Sequence, residues 1–189
     1  MSHRKKLSTE VKRQLLHFLL GVFCISFLFF FGLDFFRFFL VFLFLIGFVL
    51  FALAYYHVFK PLNDLLKEVE REHEKYPGEA AFFFVAGISV VAWFFSNPFI
   101  VMGSMVVLTF QDSVATFVGV LFGRHFLLGR KTWEGTLAGF LAGFLGLSVF
   151  FPLNVVFLVM LATTIVELLP INDALTIPVT AAFLLQVLV

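Results

Sequence analysis

The feature that most limits the fold is an apolar run at residues 15–33, followed almost at once by a second at 36–59. A helix rises ~1.5 Å per residue and the hydrocarbon core of a bilayer is ~30 Å thick, so each run can cross it. Further apolar stretches at 80–96, 98–122, 136–151, 154–169 and 174–189 make seven in all. The last three would be ~24 Å long, which suits a locally thinned bilayer or shielding by neighbouring helices. Hydrophobic residues form 61% of the 189, charged residues only 13%, and 31 are phenylalanine. A soluble domain averages about half apolar and about a quarter charged. A core of this size cannot hide so much apolar surface, and lipid becomes the expected solvent. The sequence thus predicts an all-α, polytopic transmembrane bundle of about seven spans, with residues 1–189 forming one integral-membrane domain.

Charge placement supplies the orientation. Arg4, Lys5, Lys6, Lys12 and Arg13 precede the first run; Lys60, Lys67, Arg71 and Lys75 follow the second; Arg124, Arg130 and Lys131 follow the fourth. With seven spans, every Lys and Arg except Arg37 falls on one side, which the positive-inside rule makes cytoplasmic, together with the N-terminus. The first run exceeds a signal-peptide core and no small-x-small cleavage site follows it, so a retained helix is expected. Cys24 is the single cysteine and leaves no intrachain disulfide or cysteine metal motif. A net charge of +1 points to no nucleic-acid partner. So small a chain with short spans is compatible with a homodimer.

Residues 62–76 read as a polar cytoplasmic connector helix between Pro61 and Pro77-Gly78, with opposite charges at i,i+3 in Asp64–Lys67, Glu68–Arg71 and Glu72–Lys75. A solvated structural role is expected there.

Ionisable groups at membrane depth are expensive, and by default they mark function. Asp112 lies within the fourth run, Glu134 at the start of the fifth, and Glu167 and Asp173 flank the turn between the sixth and seventh. His17 is one turn inside the first run. All five fall toward the cytoplasmic side. Ala115, Thr116, Gly119 and Gly123 follow Asp112 at spacings that form a small-residue stripe, which admits either a neighbouring helix or a ligand. Arg124-His125 and then Leu128-Gly129-Arg130-Lys131-Thr132-Trp133-Glu134-Gly135 place glycines and cations before a helix, an arrangement that suits phosphate or, equally, membrane topology. Gly135, Gly139 and Gly143 are expected to serve helix packing. Paired acids near a basic, glycine-bearing loop suit a Mg²⁺–polyphosphate complex.

In this order the segments resemble the CTP-dependent lipid-alcohol kinases: dolichol kinase, phytol kinase and the fungal-type diacylglycerol kinase, relatives of the phosphatidate cytidylyltransferases. The similarity runs through Glu10-x-x-Arg13-Gln14-x-x-His17-x-x-x-Gly21, then Asp112-x-x-Ala115-x-x-x-Gly119-x-x-x-Gly123-Arg124, Lys131-Thr132-x-Glu134-Gly135, and Glu167 through Asp173 to Pro178. Gln14, Gln111 and Ala174 depart from the family pattern, which has Lys, Gly and Asn there.

The resemblance implies Mg²⁺-dependent transfer of the CTP γ-phosphate to a membrane lipid alcohol, with a polyprenol or dolichol type favoured. It implies Asp112 with Glu167 or Asp173 as metal ligands, and Asp112, Lys131, Glu134 and His17 as the catalytic set. Arg13, Gly123, Arg124, Lys131, Thr132 and Gly135 would meet the nucleotide, with Glu134 orienting Lys131 or its loop and His17 positioning nucleotide or alcohol. Two alternatives stay open: a cytidylyltransferase that makes a CDP-activated lipid from a lipid phosphate, and a small proton-coupled transporter.

Overall fold

A computed structural model describes residues 3–58, 60–69, 76, 78–129 and 131–189. Arg71, Glu72, Lys75, Pro77 and Arg130, expected to serve connector, turn and loop roles, lie outside the described residues. The chain forms α1 (His3–Tyr55), α2 (Lys60–Val69), α3 (Glu79–Phe94), α4 (Pro98–Val107), a π-helical turn (Leu108–Asp112) and α5 (Ser113–Phe122). A short hairpin of β1 (Phe126–Leu128) and β2 (Lys131–Thr132) leads into α6 (Trp133–Leu147), α7 (Leu153–Glu167) and α8 (Asp173–Leu188). The molecule is predominantly helical. Two helical stretches, Thr9–Tyr55 and Pro98–Phe122, are long and apolar enough to cross a membrane; Glu79–Phe94, Leu153–Glu167 and Asp173–Leu188 are shorter apolar helices.

α1 is two helices in one. Gly32 has φ +79° and ψ 172°, a backbone conformation that side-chain-bearing residues rarely adopt. The Phe23 and Phe39 rings lie 5.8 Å apart and those of Phe27 and Phe39 stack at 4.4 Å. On one straight helix, residues 23 and 39 would be ~24 Å apart. The chain therefore doubles back at Gly32, and its arms lie antiparallel, matching the two runs drawn from sequence. Arg37, the lone basic residue of that end, ties the turn down. Its Nε donates to the Ala92 carbonyl at 2.8 Å and a terminal nitrogen donates to that of Phe95 at 3.4 Å. These are carbonyls at the end of α3 that lack helical donors. Its guanidinium also lies 5.8 Å from the centre of the Trp93 ring.

Helix ends follow local chemistry. α6 begins at Trp133, ahead of the expected 136, because the Thr132 hydroxyl caps it by accepting from the Gly135 N–H at 3.2 Å. α4 starts with Pro98 behind an Asn97 cap that accepts from the Phe99 N–H at 2.9 Å. The second arm of α1 stops at Tyr55, short of 59, and His57 turns with φ +53°.

The core gathers Phe36, Ile88, Met105, Leu147, Met160 and Leu185, all fully buried. α8 lies against α3, α4 and α7, while α5 lies against α6. Both sets approach closely through glycine. A Cβ at Gly135 would stand 2.5 Å from the Ala115 carbonyl oxygen, and one at Gly87 would fall on that of Ala174. Outside, Phe30, Phe38 and Phe48 are each more than 70% exposed. A surface with so many exposed large apolar side chains suits lipid.

Candidate functional site

The π-helical turn organises the centre of the molecule. Its last two residues point to different neighbours: Gln111 toward α7 and Asp112 toward α1. Turns of this kind occur often at functional sites. Gln111 is fully buried and both ends of its amide are engaged. Its Oε1 accepts from the Thr163 hydroxyl at 2.8 Å, and its Nε2 donates to Glu167 Oε2 at 2.9 Å. The other Glu167 oxygen accepts from Lys131 Nζ at 3.0 Å, and the same ammonium donates to Asp173 Oδ2 at 2.7 Å. Asp112 Oδ2 accepts from Gln14 Nε2 at 3.3 Å. Behind Gln14, Arg13 donates to Glu10 at 2.6 Å and, more weakly, to Gln14 Oε1 at 3.4 Å.

Four elements thus meet: β2 brings Lys131, the end of α7 brings Glu167, the start of α8 brings Asp173, and the π turn brings Asp112. Burial alone would push the Lys131 ammonium down. The charges of Glu167, Asp173 and Asp112 outweigh that and hold it above the ordinary lysine range. The result is an ammonium favoured in its charged form, 28% exposed, over a fully buried carboxylate.

Glu134 and His125 sit apart from this cluster. Glu134 accepts from the His125 backbone N–H at 3.3 Å, and His125 Nδ1 lies 2.7 Å from the same oxygen. The carboxylate closes the hairpin at its base through His125. Backbone donors, its own N–H first, and then His125 lower its pKa from 4.5 to about 2. A depressed carboxylate contributes stability above its unfolded value and loses it as pH falls toward the folded one. The hairpin is therefore expected to stay closed down to pH about 4.5 and to open between there and about 2. Emission from Trp133, which adjoins Glu134, followed across that range in a Trp93→Phe background, checks it; opening near neutral pH would refute it.

No family model, curated protein or solved structure matches this chain.

The remaining residues singled out in the sequence divide between packing and surface. Gly123 and Gly135 are spacers: an added Cβ would press on a backbone carbonyl oxygen at both, that of Gly119 at Gly123, where Thr132 is also crowded, and that of Ala115 at Gly135. Thr132 is buried in its capping role. The small stripe after Asp112 meets α6, with Gly139 lying on Ala115 and Gln111. Arg124 is exposed at the base of the hairpin. His17 stands edge-on to Phe84, ring centres 5.2 Å apart.

Among the described residues, no three His, Cys, Asp or Glu side chains form a group that could hold a metal ion. Glu167 and Asp173 instead bind the Lys131 ammonium, while Asp112 bonds Gln14. Carboxylate oxygens suit a hard cation in kind, and Lys131 is the cation that Glu167 and Asp173 hold. Sequence reasoning did not assign a role to Gln111 or Thr163, whose hydrogen bonds fix the buried face of Glu167. A glutamine beside an aspartate in an apolar run was the available signal, since a polar amide at that depth needs partners.

Proposed function

We propose that this chain is a multi-pass membrane phosphotransferase that moves the γ-phosphate of CTP to a membrane lipid alcohol, a polyprenol type favoured. The observation that carries the proposal is the Lys131 ammonium, held between Glu167 and Asp173 with Asp112 close enough to act on its charge. Support for the membrane architecture comes from the two arms of α1, α3, the α4–α5 helix, α6, α7 and α8, which make seven apolar helical segments. The Lys and Arg distribution favours a cytoplasmic N-terminus, and with it a cytoplasmic site.

In this proposal the alcohol oxygen bonds to the γ-phosphorus as the bond to the bridging β-phosphate oxygen breaks, and CDP leaves. Lys131, with Arg13 and Arg124, offsets phosphate charge, and Asp112 takes the hydroxyl proton. Asp112 with Glu167 or Asp173 would hold Mg²⁺, which would supply further charge neutralisation. Gln111 and Thr163 keep Glu167 oriented. Glu134 acts on the loop through His125.

The test is purified protein in detergent with γ-labelled CTP, Mg²⁺ and a panel of lipid alcohols. Label is expected in a lipid monophosphate, and Asp112→Asn is expected to lower transfer by about 100-fold or more. Release of labelled pyrophosphate with formation of a CDP-lipid would replace the kinase with the cytidylyltransferase. A buried lysine–carboxylate cluster also suits a proton-coupled transporter, and ion flux in proteoliposomes without nucleotide would favour that function instead.

A further inference from the structure

The hairpin that carries Lys131 has an outer surface unlike that of an aqueous turn. Phe126 is 74% exposed, Leu128 55% and Trp133 60%, while Leu127 between the first two is turned inward. Connecting segments in water usually show polar side chains there. The patch is also continuous with helix surface. Phe122 leads into it from α5, and Leu137 and Leu141 extend it along α6 at four-residue spacing from Trp133, all exposed. These helical faces are what the proposed bundle presents to lipid.

The charges of the hairpin agree with one neighbour. Glu134 is the only acid from 123 to 135, and it is turned onto His125. Arg124 is exposed at the rim. An apolar surface with an outward cation, its one carboxylate paired with His125, fits an anionic headgroup layer. The two tryptophans add a frame. Trp93 lies just before the start of the Pro98–Phe122 helix, and Trp133 lies beyond its far end, where Gly119 and Gly123 adjoin Thr132. Tryptophan at both ends of a bundle is the pattern of membrane interfaces.

We propose that the β1–β2 hairpin is an interfacial anchor, lying in the headgroup layer of an anionic membrane and holding Lys131 at headgroup depth. This rests on the membrane architecture proposed above, and it adds a reason why a lipid's polar end would meet the site without leaving the bilayer.

Trp93 and Trp133 are the only two tryptophans, so Trp93→Phe and Trp133→Phe each leave one reporter. The full chain is reconstituted in phosphatidylcholine–phosphatidylglycerol vesicles whose acyl chains are plain or brominated near the headgroup end. Trp133 emission is expected to fall by about half or more in brominated vesicles, with little quenching by aqueous acrylamide. Strong acrylamide quenching of Trp133 alongside bromolipid quenching of Trp93 would put the hairpin in water and overturn the anchor, leaving the membrane architecture intact. Shielding of Trp133 from both quenchers would mean protein covers it, such as a second copy, and would also overturn the anchor. If neither tryptophan responds to bromolipid, the membrane architecture fails with it.

Discussion

Lys131→Met is expected to abolish phosphoryl transfer and to destabilise the protein by about 3 kcal/mol, because it strips the buried Glu167 of its counter-charge. Thermal unfolding in detergent and the γ-label assay measure the two effects separately. Their separation is the point of a double variant. Glu167 makes one bond to Gln111 and one to Lys131, and a glutamine there can still bond Gln111 without needing an ammonium. Lys131→Met with Glu167→Gln is therefore expected to recover stability to within about 1 kcal/mol of the parent. Transfer should stay absent. If the stability loss persists in the double variant, charge compensation is not what Lys131 contributes. If transfer survives Lys131→Met, the lysine has no part in handling phosphate.

The second large effect is expected from one methyl group. Gly87→Ala would press its Cβ onto the Ala174 carbonyl oxygen and to within 3.1 Å of Leu175 Cα, and both are backbone atoms that cannot swing aside. Moving them means shifting the start of α8. A cost of about 2–3 kcal/mol is expected from such overpacking. Asp173 precedes Ala174, so the shift also carries a carboxylate away from Lys131, and transfer should fall beyond what reduced stability explains. Gly47→Ala is the control, since nothing lies within 4 Å of a Cβ added there. It should be neutral or stabilising by up to about 1 kcal/mol. Equal melting temperatures for the two variants would show that α3 and α8 do not rely on this contact.

Much of the helical framework was legible because hydropathy alone delimits segments that must be helical in an apolar solvent. The acids and Lys131 were legible as candidates for the same reason: each is costly where it lies. What escaped was decided by partners distant in sequence. The runs at 15–33 and 36–59 already implied a reversal between them, but not that Gly32, with φ +79°, would carry it. Thr132 and Gly135 had the composition of a phosphate loop, yet a Thr cap and a close helix contact use the same residues. Glu134 faces His125 because the chain turns back at Gly129, with φ +58°. A β-hairpin with strands of three and two residues, running straight into a helix, carries too few positions to show an alternation. Gln111 could be seen, but its partners on α7 lie more than fifty positions away.

The π-helical turn has a consequence for phase. Five residues from Leu108 to Asp112 carry the chain from α4 to α5, and their wider winding amounts to one residue beyond α-helical count. The two halves on either side address different neighbours: α4 meets α8, and α5 meets α6. Were the winding regular, everything after it would be rotated by about 100°. Ala115 and Gly119 would leave the glycines of α6, and β2 with its lysine would be carried round with them. The same short stretch therefore keeps two halves of the bundle in register and sets Gln111 and Asp112 at the point where that register changes.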